Sequence, residues 1–177
     1  MDWAKQKVCV IGLGRSGVAA AELLLQHGAA VTAVDTADSP ALRQIAAALT
    51  VKGAACILGA TEVSNAFNLA VISPGVRLDL PLVASLRARG VRVWGELELG
   101  WQFTKCPAIA ITGTNGKTTT TELVASLLGQ AQRRTVAAGN IGTPLCVMAG
   151  QSRELDAVTL EVSSFQLESI AEFRPAI

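Results

Sequence analysis

A lysine and a threonine closing a glycine-bracketed turn are the plainest chemical signal in the chain. Thr112-Gly-Thr-Asn-Gly-Lys-Thr118 follows the apolar run Ala108 to Ile111 and precedes Leu123, Val124, Leu127 and Leu128, which recur at helical spacing before Gly129. A strand that breaks into such a turn and resumes as a helix aims successive backbone N–H groups, and the positive end of the helix dipole, at phosphate oxygens. In that arrangement Gly113, Thr114, Asn115, Gly116 and Thr119 line bound phosphates, Lys117 neutralises the outer ones and Thr118 ligates magnesium. The general P-loop pattern puts its first glycine where this chain has Ile111, so the turn is a shorter form of that motif.

A second candidate group lies downstream. The strand expected from Asp156 to Leu160 ends in Glu161, and an acid so placed holds magnesium beside the threonine of a phosphate loop. Lys117, Thr118 and Glu161 are therefore the candidate catalytic groups, with Thr118 and Glu161 as metal ligands. Between loop and acid, a strand from Thr135 to Ala138 leads into Gly139-Asn-Ile-Gly142, where asparagine between glycines reads first as a left-handed turn residue.

The other glycine turn comes early. Lys7 to Ile11 reads as a strand, Gly12-Leu-Gly-Arg-Ser-Gly17 matches Gly-x-Gly-x-x-Gly, and Val18, Ala21, Leu24 and Leu25 continue as a helix ending near Gly28. A second strand from Ala30 to Val34 delivers Asp35, completing the strand-turn-helix-strand-acid unit of a dinucleotide or diphosphate site. Asp35 could serve the ribose of a nicotinamide cofactor, another nucleotide, or only solvent. His27, the single histidine, falls at the end of the first helix and reads as a surface residue rather than a catalyst. Ser73-Pro-Gly75 is a sharp turn at a strand end, where Gly75 would let backbone approach a ligand.

The elements that position these groups alternate strictly. Helices near Pro40 to Thr50 and Pro81 to Arg89, with strands at Ala54 to Leu58, Leu69 to Ser73 and Val91 to Trp94, give five strands before residue 95. The fold class is α/β: a Rossmann-like parallel-sheet domain over residues 1–95, then, over 96–177, the first part of a P-loop-type α/β ATPase domain. Gly95-Glu-Leu-Glu-Leu-Gly100 starts a connecting helix or linker. Half the residues are apolar and only 16% are charged, as buried parallel strands require. A net charge of +1 without a basic cluster gives no footprint for nucleic acid, and no apolar stretch approaches a membrane span. The first residues lack a secretory signal, so the cytoplasm is the expected location. Cys9, Cys56, Cys106 and Cys146 are far apart beside apolar runs and read as buried free thiols.

Together, Gly12 to Gly17, Ser73-Pro-Gly75, Thr112 to Thr118, Gly139 to Gly142 and Leu160-Glu-Val-Ser-Ser-Phe-Gln-Leu-Glu168 resemble the Mur ligases over essentially the whole chain, and the last string resembles the members that add D-glutamate. The resemblance implies a first domain that holds the UDP part of UDP-N-acetylmuramoyl-L-alanine, so no hydride chemistry is expected. Gly14, Arg15, Ser16, Asp35 and Thr36 would contact UDP, and Gly75 and Asn140 the substrate further along. Arg15 and Ala37 occupy positions where relatives carry other side chains. The implied reaction uses ATP and Mg2+ to convert the substrate carboxylate into an acyl phosphate that the amine of D-glutamate attacks, a step in peptidoglycan precursor synthesis. In that family the ATPase domain continues, and a third domain follows. The chain is thus expected to be an N-terminal portion, inactive by itself and prone to self-association through uncovered edges. Readings from other classes are a non-catalytic nucleotide-binding module and an NAD-dependent oxidoreductase domain.

Overall fold

The computed structural model describes residues 1–177, which divide into two compact units, Met1–Glu96 and Leu97–Ile177. In the first, β1 (Lys7–Ile11), β2 (Ala30–Asp35), β3 (Ala55–Leu58), β4 (Leu69–Ile72) and β5 (Arg92–Gly95) form a five-stranded sheet in the order β3-β2-β1-β4-β5. Every pairing in it is parallel. Helices α1 (Arg15–Gln26), α2 (Pro40–Val51) and α3 (Pro81–Ala88) connect the strands.

Central strands of a parallel sheet are covered on both faces, which explains why β1 and β4 are unbroken apolar runs instead of alternating ones. Val8 to Ile11 and all of β4 are buried, and Leu82, Val83 and Leu86 of α3 join Cys9, Ile11 and Ile72 in the core. Local signals set the helix ends. Ser39 accepts a hydrogen bond from the Leu42 N–H at 3.2 Å and Pro40 opens α2, a cap and a first-turn proline in their favoured places. Because the winding direction reverses between β1 and β4, their carboxyl ends border the crevice where such sheets take ligands.

The second unit starts within α4 (Glu96–Phe103) and holds a three-stranded parallel sheet, ordered β6 (Ala108–Ile111), β8 (Ala157–Glu161), β7 (Thr135–Gly139). Helix α5 (Lys117–Gln130) follows β6. Two short helices, α6 (Leu145–Met148) and α7 (Ser164–Leu167), flank β8 in sequence, and α6 continues into a turn of 3-10 helix over Ala149–Glu154. The chain's last residues lie along β6: the Ala110 N–H donates to the Ile177 carbonyl at 2.9 Å and the Ala176 N–H to the Ala108 carbonyl at 2.8 Å.

Several expectations are refined. The stretch at Glu96 to Gly100 is a helix, and it is wholly buried, glutamates included. The apolar stripe of α5 is only half covered, since Val124 and Leu128 are partly buried while Leu123 and Leu127 are exposed. Cys9, Cys106 and Cys146 are buried free thiols, but Cys56 is only half-buried, at the edge strand β3, with its Sγ donating to the Ala46 carbonyl at 3.4 Å. No helix is long and apolar enough to cross a membrane.

Candidate functional site

The phosphate loop runs from the end of β6 into α5. Gly116 caps α5 with φ +75° and Lys117 is its first residue, so the first N–H groups of the helix open toward the turn. The Lys117 ammonium donates to the carbonyls of Gly113 at 2.7 Å and Thr114 at 3.3 Å. Thr114, Asn115, Thr118 and Thr119 are exposed around it.

Glu161 ends the central strand of this sheet and is 3% exposed. Its Oε2 accepts from the Thr118 hydroxyl at 2.6 Å, joining the first turn of α5 to the tip of β8. Its Oε1 accepts from Asn140 Nδ2 at 2.9 Å. The structure thus brings Thr118, Glu161 and Asn140 together, from three strand ends of one sheet. Asn140 departs from the turn reading: its φ is not positive, and the left-handed positions of that turn are Gly139 and Gly142. The polar string after β8 also has a local cause. Ser163 and Gln166 form a reciprocal capping box that starts α7 directly behind the acid and leaves Phe165 exposed.

In the first unit the glycine turn and the tips of β1, β2 and β4 meet. The Gly12 N–H donates to the Val34 carbonyl at 2.8 Å, and the Ser73 hydroxyl to the Gly12 carbonyl at 2.7 Å. Gly17 is demanded by packing, because a β-carbon there would collide with the Gly12 carbonyl oxygen and the Ser73 hydroxyl. Gly14 and Gly75 are different: added β-carbons would meet nothing, so the fold itself leaves those positions unconstrained. Asp35 is not a solvated strand end. Its Oδ2 accepts from the Leu13 N–H at 2.8 Å and its Oδ1 from the Ala37 N–H at 2.9 Å, bracing the glycine turn against the end of β2. Arg15 and Thr36 are exposed and Ser16 is half-buried beside this turn. His27 caps the end of α1, with Nδ1 against the Leu23 carbonyl at 2.8 Å, well away from the turn in sequence and on the surface.

One buried carboxylate was invisible in the alternating Glu-Leu-Glu-Leu pattern. Glu98 is fully buried and accepts from the N–H groups of Ala171, Glu172 and Phe173 at 2.8 to 3.1 Å, and from Gln102 Nε2 at 2.8 Å. It is an anchor for the segment after α7 rather than a reactive group.

Residues 6–95 match the family described as Mur ligase MurD-like, N-terminal domain, and residues 111–177 match the Mur ligase middle domain. The UDP-N-acetylmuramoylalanine–D-glutamate ligase of Myxococcus xanthus is 45% identical over 96% of this chain and 38% of its own length; that of Synechocystis is 44% identical over 97% and 39%. The chain therefore spans about two fifths of the length of these relatives. A solved murein peptide ligase from Psychrobacter arcticus shares the fold, with a TM-score of 0.55 at 20% identity over 96% of this chain and 41% of that one. With its first unit fitting the MurD-like domain and its second the Mur ligase middle domain, the chain belongs to the Mur ligase family.

Proposed function

We propose that this chain is the nucleotide-sugar-binding and phosphate-binding portion of an ATP-dependent, ADP-forming ligase that joins D-glutamate to UDP-N-acetylmuramoyl-L-alanine in the cytoplasm. The observation that carries the reading is the bridge from Thr118 to Glu161: a loop hydroxyl and a strand-end carboxylate 2.6 Å apart beside a lysine whose ammonium already sits on the loop carbonyls. Oxygen donors of this kind suit magnesium, and the near-complete burial of Glu161 with no cation hydrogen-bonded to it leaves a carboxylate for a divalent ion to neutralise. Thr118 and Glu161 would hold the ion, which supplies charge neutralisation when a carboxylate approaches the terminal phosphate of ATP.

The chain's own residues supply the rest. The turn from Gly113 to Gly116 and the start of α5 offer N–H groups to the phosphates, with Thr114, Asn115 and Thr119 around them. Lys117 moves from the loop carbonyls to the outer phosphates, trading two neutral acceptors for anionic ones. In the first unit the turn at Gly14, Arg15 and Ser16, with Asp35 and Thr36, binds uridine diphosphate; Gly75 and Asn140 contact the remainder of the substrate. The freedom around Gly14 and Gly75 supports this, because glycine there serves no packing need.

Calorimetric titration tests the reading. UDP, UDP-N-acetylmuramoyl-L-alanine and magnesium ATP are expected to bind and NAD is not; binding of NAD alone would replace the ligase reading by the oxidoreductase one. Gly75→Val should weaken the muramoyl substrate and leave the melting temperature unchanged.

A further inference from the structure

The turn after β7 is built against Glu161 at three points. Gly139 has φ +102°, and a β-carbon there would overlap the Glu161 carbonyl oxygen. The Asn140 backbone N–H donates to that same carbonyl at 2.9 Å. The Asn140 amide then donates from Nδ2 to the side-chain Oε1, also at 2.9 Å. The amide's orientation follows from its partner, since a carboxylate has only acceptors to offer. Glycine at 139 is thus what lets the next residue's backbone and side chain both close on the acid.

The chemistry of this contact is that of a support. The terminal torsion of a glutamate is broad, so a free carboxylate presents its oxygens in many directions. Here one oxygen is tied to a neutral amide, and the other faces a hydroxyl on the phosphate loop, whose hydrogen can rotate away and leave its own oxygen as a donor. Carboxylates that bind metals are themselves held by hydrogen bonds, and loss of such a bond costs about 10- to 100-fold in metal affinity.

We infer that Asn140 is a positioning residue for the divalent-cation site: its amide fixes Glu161 Oε1 so that Oε2 and the Thr118 hydroxyl oxygen form one ready pair of ligands. This rests on the nucleotide site proposed above. Asn140 is exposed at the end of β7, so the same side chain that holds the metal ligand is within reach of the nucleotide-linked substrate.

The test uses Mn2+ as the probe, with free ion followed by electron paramagnetic resonance in the presence of ATP. Asn140→Leu, which keeps the bulk and removes the donor, is expected to raise the Mn2+ dissociation constant about 10-fold or more, and Asn140→Gln, which retains an amide, to recover part of the loss. ATP affinity measured in EDTA should be the same for all three proteins. A Leu variant that binds Mn2+ like the parent overturns the inference, and so does an equal loss of Mn2+ and metal-free ATP binding, which would mean collapse of the loop. If the parent protein itself shows no ATP-dependent Mn2+ binding, the proposed nucleotide site fails and this inference falls with it, a result set apart by the parent protein's own titration.

Discussion

Burial alone lifts the Cys9 thiol from its ordinary value of 9.0 to about 12, because the thiolate would have to form inside the β1 core without water. The sign of the consequence is definite. Below about pH 9 both folded and unfolded chains keep this thiol protonated and stability is unaffected; as pH rises from 9 toward 12 the unfolded chain ionises first, so folding stability falls. Urea midpoints measured from pH 7.5 to 10.5 should decline only above about 9 and more steeply than in Cys9→Ala. At this scale the sequence names candidates and is silent on their contacts. Lys117, Thr118 and Glu161 stand out as candidates because those types, after a glycine turn and at a strand end, are the ones phosphate and magnesium chemistry would use. Asn140 and Asp35 were legible as candidates only, since nothing in a string of residues tells that one amide faces Glu161 or that both Asp35 oxygens are taken by backbone N–H groups.

Among the elements, strands and long helices were legible from apolar runs and turn residues, with ends displaced by a residue or two. Helix α4 was not. Alternating Glu and Leu in a short stretch resembles a solvated linker, and only the tertiary fold shows that the Glu98 carboxylate is the acceptor for three consecutive N–H groups. Glu98→Ala would remove the shared acceptor of three N–H groups and leave the buried one of Phe173 without a partner, and should cost about 3 kcal/mol. The measurement has a local reporter: Trp101 packs edge-on to Phe173 at 5.3 Å and donates to the Glu172 carbonyl at 3.1 Å, so its fluorescence reads the anchored segment. In a background with Trp3 and Trp94 replaced by phenylalanine, the variant should unfold at lower urea; an unchanged midpoint would mean the anchor adds no stability. Helix α6 left no mark in the sequence that distinguishes it from loop, because four residues are too few for a period to show.

For the molecule as a whole, the feature with physical reach is the apolar surface on α5. Leu123 and Leu127, one helical turn apart, are 55% and 54% exposed. A net charge of +1 offers little repulsion between copies. Self-association is the expected behaviour, seen in sedimentation velocity as an s-value that rises with concentration and is flat in Leu123→Lys/Leu127→Lys. A parent protein that stays monomeric over the same range would show that half-covered leucines are tolerated here.

The lysine that rests on its own loop has one more effect. A loop whose ammonium is already shared by the Gly113 and Thr114 carbonyls is not an open basic pit. Any anion must win the ammonium from those two acceptors, and a triphosphate would bring more charged oxygens to the turn's N–H groups, with a divalent ion beside them, than a single sulfate does. In the site proposed above, those resting contacts would set a threshold that a longer phosphate chain passes more easily than a single small anion, and competition of sulfate against ATP would measure it.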